Sequence, residues 1–385
     1  MTQDSVMMPK RTDTSAGEAV QKLPRRRRRV VVALALGAIV ALLGVLARPS
    51  PPSLSSVVTG DAELAARARL LLPGALDRVS IAVVDGDGVT YAHFGANERT
   101  EYEIGSITKT FTALLLADAI RRREVTADMK IGALLPLGGA PVADVTLAEL
   151  ASHRSGLSAQ GMQRDDALPF LLRLLLHKNP FVQDADGVLT IARKATLTNR
   201  GAVVYSNLGV ALLGQGLAAA AHLDYAQLVQ ERLFTPVGME ASSLPLTAAN
   251  LPSNAPTGYS ASGIAEAPWT INGWAPAGGA RSTTADMVRY AQALLDGSAP
   301  GMDALTPRWE VGAQQIGYVW QTQDYQGHTV TFKNGLTGGF TSKIILDRAH
   351  HRAVIVLSNT AAQVDLAANS LLVGEYAWIP SSLDR

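Results

Sequence analysis

The chain has 385 residues, with 34 Lys+Arg against 33 Asp+Glu, a formal net charge of +1 and no cysteine. It is long enough to bury a large core, and the missing cysteines exclude disulfides, thiolate metal sites and a lipid-attachment cysteine. The basic character is confined to one end. Residues 1–29 hold eight Lys/Arg and three Asp/Glu, a balance of +5, which leaves −4 for the remainder and no electrostatic footprint for nucleic acid.

Residues 1–29 read as a basic tail ending in the run Arg25 to Arg29. The eighteen residues 30–47 carry no charge and are almost wholly apolar. As a helix they would reach roughly 27 Å at about 1.5 Å per residue, close to the hydrocarbon thickness of a bilayer. With arginines on the N-terminal flank, the expectation is an uncleaved signal-anchor, tail in the cytoplasm and everything after Ala47 outside. Cleavage after Val45-Leu46-Ala47, releasing the rest, is the competing expectation. Residues 48–62 read as a Pro/Ser linker, and residues 63–380 as the folded domain.

Within that domain, Val79 to Phe94 alternates around Asp85-Gly86-Asp87-Gly88 and predicts a hairpin. A Leu/Ala-rich helix is expected over Ile107 to Arg123. Helical patches follow at Leu147–Ser152, Ala167–Leu176, Gly209–Ala221 and Tyr225–Leu233, separated by Gly/Pro/Asn loops. A capped helix is expected over Ser282–Leu295. Strands are expected near Val311–Thr322, Gly327–Phe332, Phe340–Asp347 and Arg352–Leu357, with a closing helix over Ala361–Ala377. Strands and helices at both ends, with helices between, predict an α+β fold: an antiparallel sheet flanked by helices, with an all-helical domain inserted. The sheet lobe would take about 63–130 and 280–380, the helical lobe about 131–279. The meeting of two lobes is a usual place for a site.

Three short motifs carry chemistry. Ser106 and Lys109 form the only S-x-x-K of the chain, at the start of the first long helix. Positions i and i+3 share a helix face, so an amine can stand beside a hydroxyl that is a poor nucleophile until its proton is taken. The N-terminal end of the helix also favours developing negative charge, by about 0.3–1 kcal/mol. Tyr205-Ser206-Asn207 is the only Y-x-N, and in an extended segment its first and third side chains point the same way. Lys333-Asn334-Gly335 ends a strand-like run, and Gly335 leaves room for another backbone to lie against it. A second K-x-G, Lys130-Ile131-Gly132, precedes Tyr205 and opens a Gly/Leu/Pro-rich stretch, so it is read as incidental. The histidines show no ligand spacing, and neither a metal site nor a cofactor is expected.

With these motifs the chain resembles the serine β-lactamase and penicillin-binding protein superfamily, in the branch of class C β-lactamases, D-alanyl-D-alanine carboxypeptidases and related esterases. The resemblance extends to His153-Arg154-Ser155-Gly156-Leu157, to Pro236-Val237-Gly238-Met239 and to Gly278-Gly279-Ala280-Arg281-Ser282-Thr283 followed by Asp286-Met287. It implies that Ser106 is the nucleophile, with Lys109 and Tyr205 as proton carriers of undecided order. Asn207 would hold the substrate amide, aided by Gln160, and Lys333 would attract a substrate carboxylate. The oxyanion hole would be the backbone N–H groups of Ser106 and Leu336, next to Gly335. His153 is expected to be structural, and Trp269, Trp274 and Trp320 are expected to pack the core, with lining of the cleft the alternative. One departure bears on substrate. The middle residue of K-x-G is Asn334 where the family carries a hydroxyl, which weakens carboxylate recognition. The expected activity is a Ser acyl-enzyme hydrolase acting on D-alanyl-D-alanine-type peptides or β-lactams. The alternatives are a carboxylesterase on the same scaffold and a penicillin-binding sensor without turnover.

Overall fold

The computed structural model describes residue 30 and residues 34–39, 49–161, 164–252 and 255–374. The basic tail therefore lies outside the described residues, as does most of the apolar stretch 30–47. Its described part, 34–39, is helical. Among the described residues no helix is long and apolar enough to cross a membrane.

From Ser50 onward the chain is built on one sheet of nine strands. These are β1 (Val58–Gly60), β2 (Val79–Asp85), β3 (Gly88–Phe94), β4 (Trp309–Val311), β5 (Gln314–Ile316), β6 (Gln321–Tyr325), β7 (His328–Leu336), β8 (Thr341–Asp347) and β9 (Arg352–Ser358). Their order is β1-β3-β2-β9-β8-β7-β6-β5-β4, with every neighbouring pair antiparallel. The expected hairpin closes with Asp85 opposite Gly88, and Gly86 supplies the positive φ of 57° that so short a turn needs.

The sheet is covered on both faces, which explains the apolar runs Ile81–Val84 and Ala353–Leu357 in its central strands. Val79 and Ile81 of β2 and Val354 and Val356 of β9 pack with helices α1 (Ala62–Leu71) and α5 (Asp365–Val373). The alternate residues Ala82, Val84, Ala353, Ile355 and Leu357 join the larger core on the other face. That core holds α2 (Thr108–Arg121), α3 (Asn207–Ala221) and α4 (Thr284–Leu295). Every residue of α2 from Thr108 to Ala119 is buried, as a helix apolar all round must be.

Several expectations are corrected. The run 311–322 is not one strand. Gly317 donates its N–H back to the Trp320 carbonyl at 2.9 Å, and Val319 turns to φ 66° to reach the Ala151 carbonyl at 2.7 Å. The chain leaves the sheet there to bury Tyr318, Val319 and Trp320. The linker 48–62 contains edge strand β1 and Asp61, whose carboxylate caps α1 through the Leu64 N–H. The inserted region is not purely helical: Gly258–Ser260 and Ala265–Glu266 form a small sheet with Thr360–Ala361. A helix over Ala185–Lys194 was not expected, although Asp184 caps it and Val188, Ile191 and Ala192 are its buried face.

A buried ion pair ties the two halves of the sheet lobe together. Glu101–Glu103 pairs with Arg281–Thr283 just before the Ser106 turn. The Arg281 guanidinium, 1% exposed, donates to Glu101 and, at 3.0 Å, to Glu103. Glu103 also accepts the Trp269 N–H at 2.8 Å. Burial pushes the Glu103 carboxyl up, and the arginine and its hydrogen bonds pull it back. Removing one partner strands a buried charge. Arg281→Met is expected to lower the unfolding free energy by about 3–5 kcal/mol in urea denaturation. Pairing it with Glu103→Gln should cost less than the sum of the single changes.

Candidate active site

The sequence turns sharply between Glu103 and Thr108. Gly105 has φ 48°, and Gly105–Ile107 forms a single 3-10 turn that runs straight into α2. Ser106 sits on that turn, and Lys109 one turn further brings its amine to 2.9 Å from Ser106 Oγ. From the far side of the sequence, the Tyr205 hydroxyl lies 2.6 Å from the same oxygen. The Lys109 amine also donates to the Ala277 carbonyl.

Each side chain is held by its own element. Ser206 caps α3 by accepting the Gly209 N–H at 3.0 Å, and its hydroxyl donates to the Ser158 carbonyl at 2.8 Å. That turns Ser206 inward, while Tyr205 and Asn207 both line the cavity beside Ser106. His153, in a left-handed turn at φ 58°, accepts the Ser206 N–H on Nδ1 at 3.2 Å. Its ring lies 4.7 Å from that of Tyr205. Lys109 Nζ and Lys333 Nζ lie 5.0 Å and 5.2 Å from the Tyr205 ring centroid.

Burial decides the protonation states. Lys109 has no exposed surface, and desolvation holds its amine well below the usual lysine range. Burial also lowers Lys333; the Tyr205 oxygen pulls it back up, and Lys109 pushes it further down. His153 is held well below its ordinary value by burial first and then by the two lysines, so its ring is neutral. The site therefore offers a hydroxyl flanked by an amine whose lone pair is available and a phenol able to pass a proton.

Two glycines let the nucleophile turn and β7 come together. A Cβ on Gly105 would lie 2.7 Å from the Leu336 nitrogen, and one on Gly335 would lie 2.0 Å from the Ile104 carbonyl oxygen and 2.3 Å from Ser342 Oγ. That serine in turn donates to the Ile104 carbonyl at 2.8 Å. The backbones of Ser106 and Leu336 are thus brought to one cavity, which both residues line.

A model of the family described as Beta-lactamase matches residues 72–377. The chain belongs to this family. A relative named Penicillin-binding protein 4, from Amycolatopsis lactamdurans, is 26% identical over 305 residues, covering 70% of this chain and 76% of its own. Beta-lactamase-like protein 2 of Dictyostelium discoideum is 29% identical over 223 residues, which span 53% of this chain and 37% of the relative. A Beta-lactamase of Providencia stuartii is 28% identical over 176 residues, 42% of this chain and 41% of its own. The chain thus spans about two-fifths of the length of these last two. Among solved structures, a class C beta-lactamase superposes with a TM-score of 0.70 at 19% identity, covering 82% of this chain and 97% of the other. That likeness is one of fold.

Of the residues read from the sequence, Ser106, Gln160, Tyr205, Asn207 and Leu336 line one cavity, with Lys109 and Lys333 buried against Tyr205. The β-lactamase-family signature thus assembles from four separate stretches. Asn334 does not join it. Side chains alternate along β7, and Asn334 turns to the α5 face, donating to Asp365 at 2.6 Å beside Lys343, which donates to the same oxygen at 2.6 Å. Trp274 and Trp320 are both buried in the core, and Trp269, partly buried against it, and Trp274 also line the cavity. Sequence reasoning missed the Ala277 carbonyl and the packing of His153 on Tyr205, for which no local pattern exists. It also saw no ligand spacing among the histidines. Yet the fold brings His328 and His350 each to 2.7 Å from Asp347 Oδ2, at the end of β7 away from Leu336.

Gly335→Ala is expected to push the Ile104–Ser106 turn off β7. Labelling of Ser106 by a fluorophosphonate probe should slow at least about 100-fold, the scale of losing one oxyanion donor, while circular dichroism stays that of a folded protein.

Proposed function

We propose that this β-lactamase-family protein is a serine hydrolase that works through an acyl-enzyme on Ser106. The observation that carries the reading is the placement of Ser106 Oγ between the Lys109 amine at 2.9 Å and the Tyr205 hydroxyl at 2.6 Å. Ser106 attacks an amide or ester carbonyl and its proton passes to Lys109 or through Tyr205. The oxyanion meets the N–H groups of Ser106 and Leu336. The leaving amine or alcohol takes a proton back, and water then releases the acid and regenerates Ser106. Asn207 and Gln160, both on the cavity wall, hold an amide of the substrate.

The relatives named as β-lactamases and penicillin-binding proteins support β-lactams, or the D-alanyl-D-alanine peptides they mimic, as the substrate class. A second reading, a carboxylesterase, is favoured by Asn334, whose side chain faces Asp365 rather than the cavity. The apolar stretch 30–47 supports tethering of the enzyme to a membrane with the domain outside.

Two experiments test this. Incubation with a fluorescent penicillin should give an adduct that is absent in Ser106→Ala. A short-lived adduct indicates β-lactam turnover, and a persistent one a penicillin-binding protein or sensor. No adduct, with p-nitrophenyl ester hydrolysis lost in Ser106→Ala, indicates an esterase. Loss of neither signal in Ser106→Ala would end the proposal. The second is a pH–rate profile. Lys109 must be neutral to accept a proton, so kcat/KM should fall as pH is lowered through its depressed pKa. That limb should lie well below the ordinary lysine value of 10.5.

A further inference from the structure

The cavity beside Ser106 measures about 300 Å³, and among the described residues none of its lining side chains carries a formal charge. Its polar side chains are neutral: Ser106, Gln160, Tyr205 and Asn207. The two lysines close by, Lys109 and Lys333, are 0% and 5% exposed and pack on the Tyr205 ring instead of the cavity wall. One wall is aromatic. Phe181 is the hub, with ring centroids 5.2 Å from Phe170, 5.1 Å from Trp269 and 5.2 Å from Trp274. Trp274 is locked by its Nε1–H bond to Gln183 at 2.9 Å, so this wall is preformed.

The helix Arg164–Leu175 completes the mouth. Phe170 and Leu174, four apart and so on one helix face, line the cavity. On the same helix Leu168, Leu171, Leu172 and Leu175 are between 48% and 65% exposed. A helix flanking a catalytic cavity with apolar residues on both its inner and outer sides suits a substrate that is itself apolar. Glu266 stands by Gly338 and the Trp269 indole nitrogen and is hydrogen-bonded to His177 at 2.6 Å, so it adds no cation to this wall.

We infer that the acyl group delivered to Ser106 is a neutral, medium-length apolar chain, and that the substrate is bound by this chain rather than by a carboxylate. The inference rests on the acyl-enzyme reading above and names its substrate class: carboxylic esters of apolar acids. The reaction balances as written there. The ester alkoxide leaves with a proton, and water supplies the hydroxyl of the released acid.

The test is a series of p-nitrophenyl esters, from acetate to octanoate, in which only the acyl chain varies. Each methylene that enters the cavity should raise kcat/KM about threefold to fourfold, so hexanoate, four methylenes longer, should exceed acetate by at least about 80-fold. A glutarate half-ester, carrying a terminal carboxylate, should fall at least about tenfold below pentanoate. Leu174→Gln places an amide at the mouth, at a position 38% exposed and therefore tolerant of change. It should lower the hexanoate-to-acetate ratio about tenfold or more. Ser106-dependent hydrolysis with a flat or falling chain-length series, or a preference for the glutarate half-ester, would overturn this inference and leave the acyl-enzyme intact. Absence of any Ser106-dependent turnover or adduct would overturn both.

Discussion

The structure depends on keeping the Lys109 amine out of water. Desolvation lowers the proton affinity of an amine with no exposed surface, and in the proposed reaction only a neutral amine can take the proton of Ser106. Everything nearby serves that end. The Ala277 carbonyl takes one of its N–H groups, and the Tyr205 ring packs beside both Lys109 and Lys333.

Such burial opposes stability. The folded state holds Lys109 and Lys333 with lowered proton affinity, so unfolding takes up protons between the folded and unfolded pKa values, and stability rises with pH across that window. Natural sites accept such costs when the surrounding core is large enough to bear them. Here the nine-stranded sheet, covered on both faces, and the fully buried α2 supply that core. The Arg281–Glu103 pair shows the same pattern one step from the nucleophile: charges buried because they fix the turn that presents Ser106.

In the proposed reaction, chemistry and specificity are carried by different surfaces of one cavity. The reactive groups lie where two glycines, Gly105 and Gly335, allow backbones to touch. The apolar wall comes from the inserted region, from Phe170, Phe181, Trp269 and Trp274. Changes in the insert can therefore alter what is bound without disturbing the Ser106, Lys109 and Tyr205 constellation, which is anchored by α2 and the cap of α3.

The sequence by itself determined what lies within a turn or two along the chain. A period of two exposed the hairpin at Val79–Phe94, and a capped apolar run exposed α4. The i, i+3 spacing placed Lys109 beside Ser106, and the motif set placed Tyr205, Asn207, Lys333 and Gly335. It misread 311–322 because strand propensity at Tyr318–Trp320 is local, whereas the pull of the Ala151 carbonyl and the core on that segment is not. It left Trp269 and Trp274 between core and cleft because an aromatic residue reads alike on a core face and on a cavity wall, and Trp274 in fact does both. Only the tertiary structure decided that Asn334 faces Asp365, that His153 packs on Tyr205 and that no charged side chain among the described residues lines the cavity. Those facts are set by which residues, far apart in the chain, share a buried volume, and a one-dimensional pattern does not encode that directly.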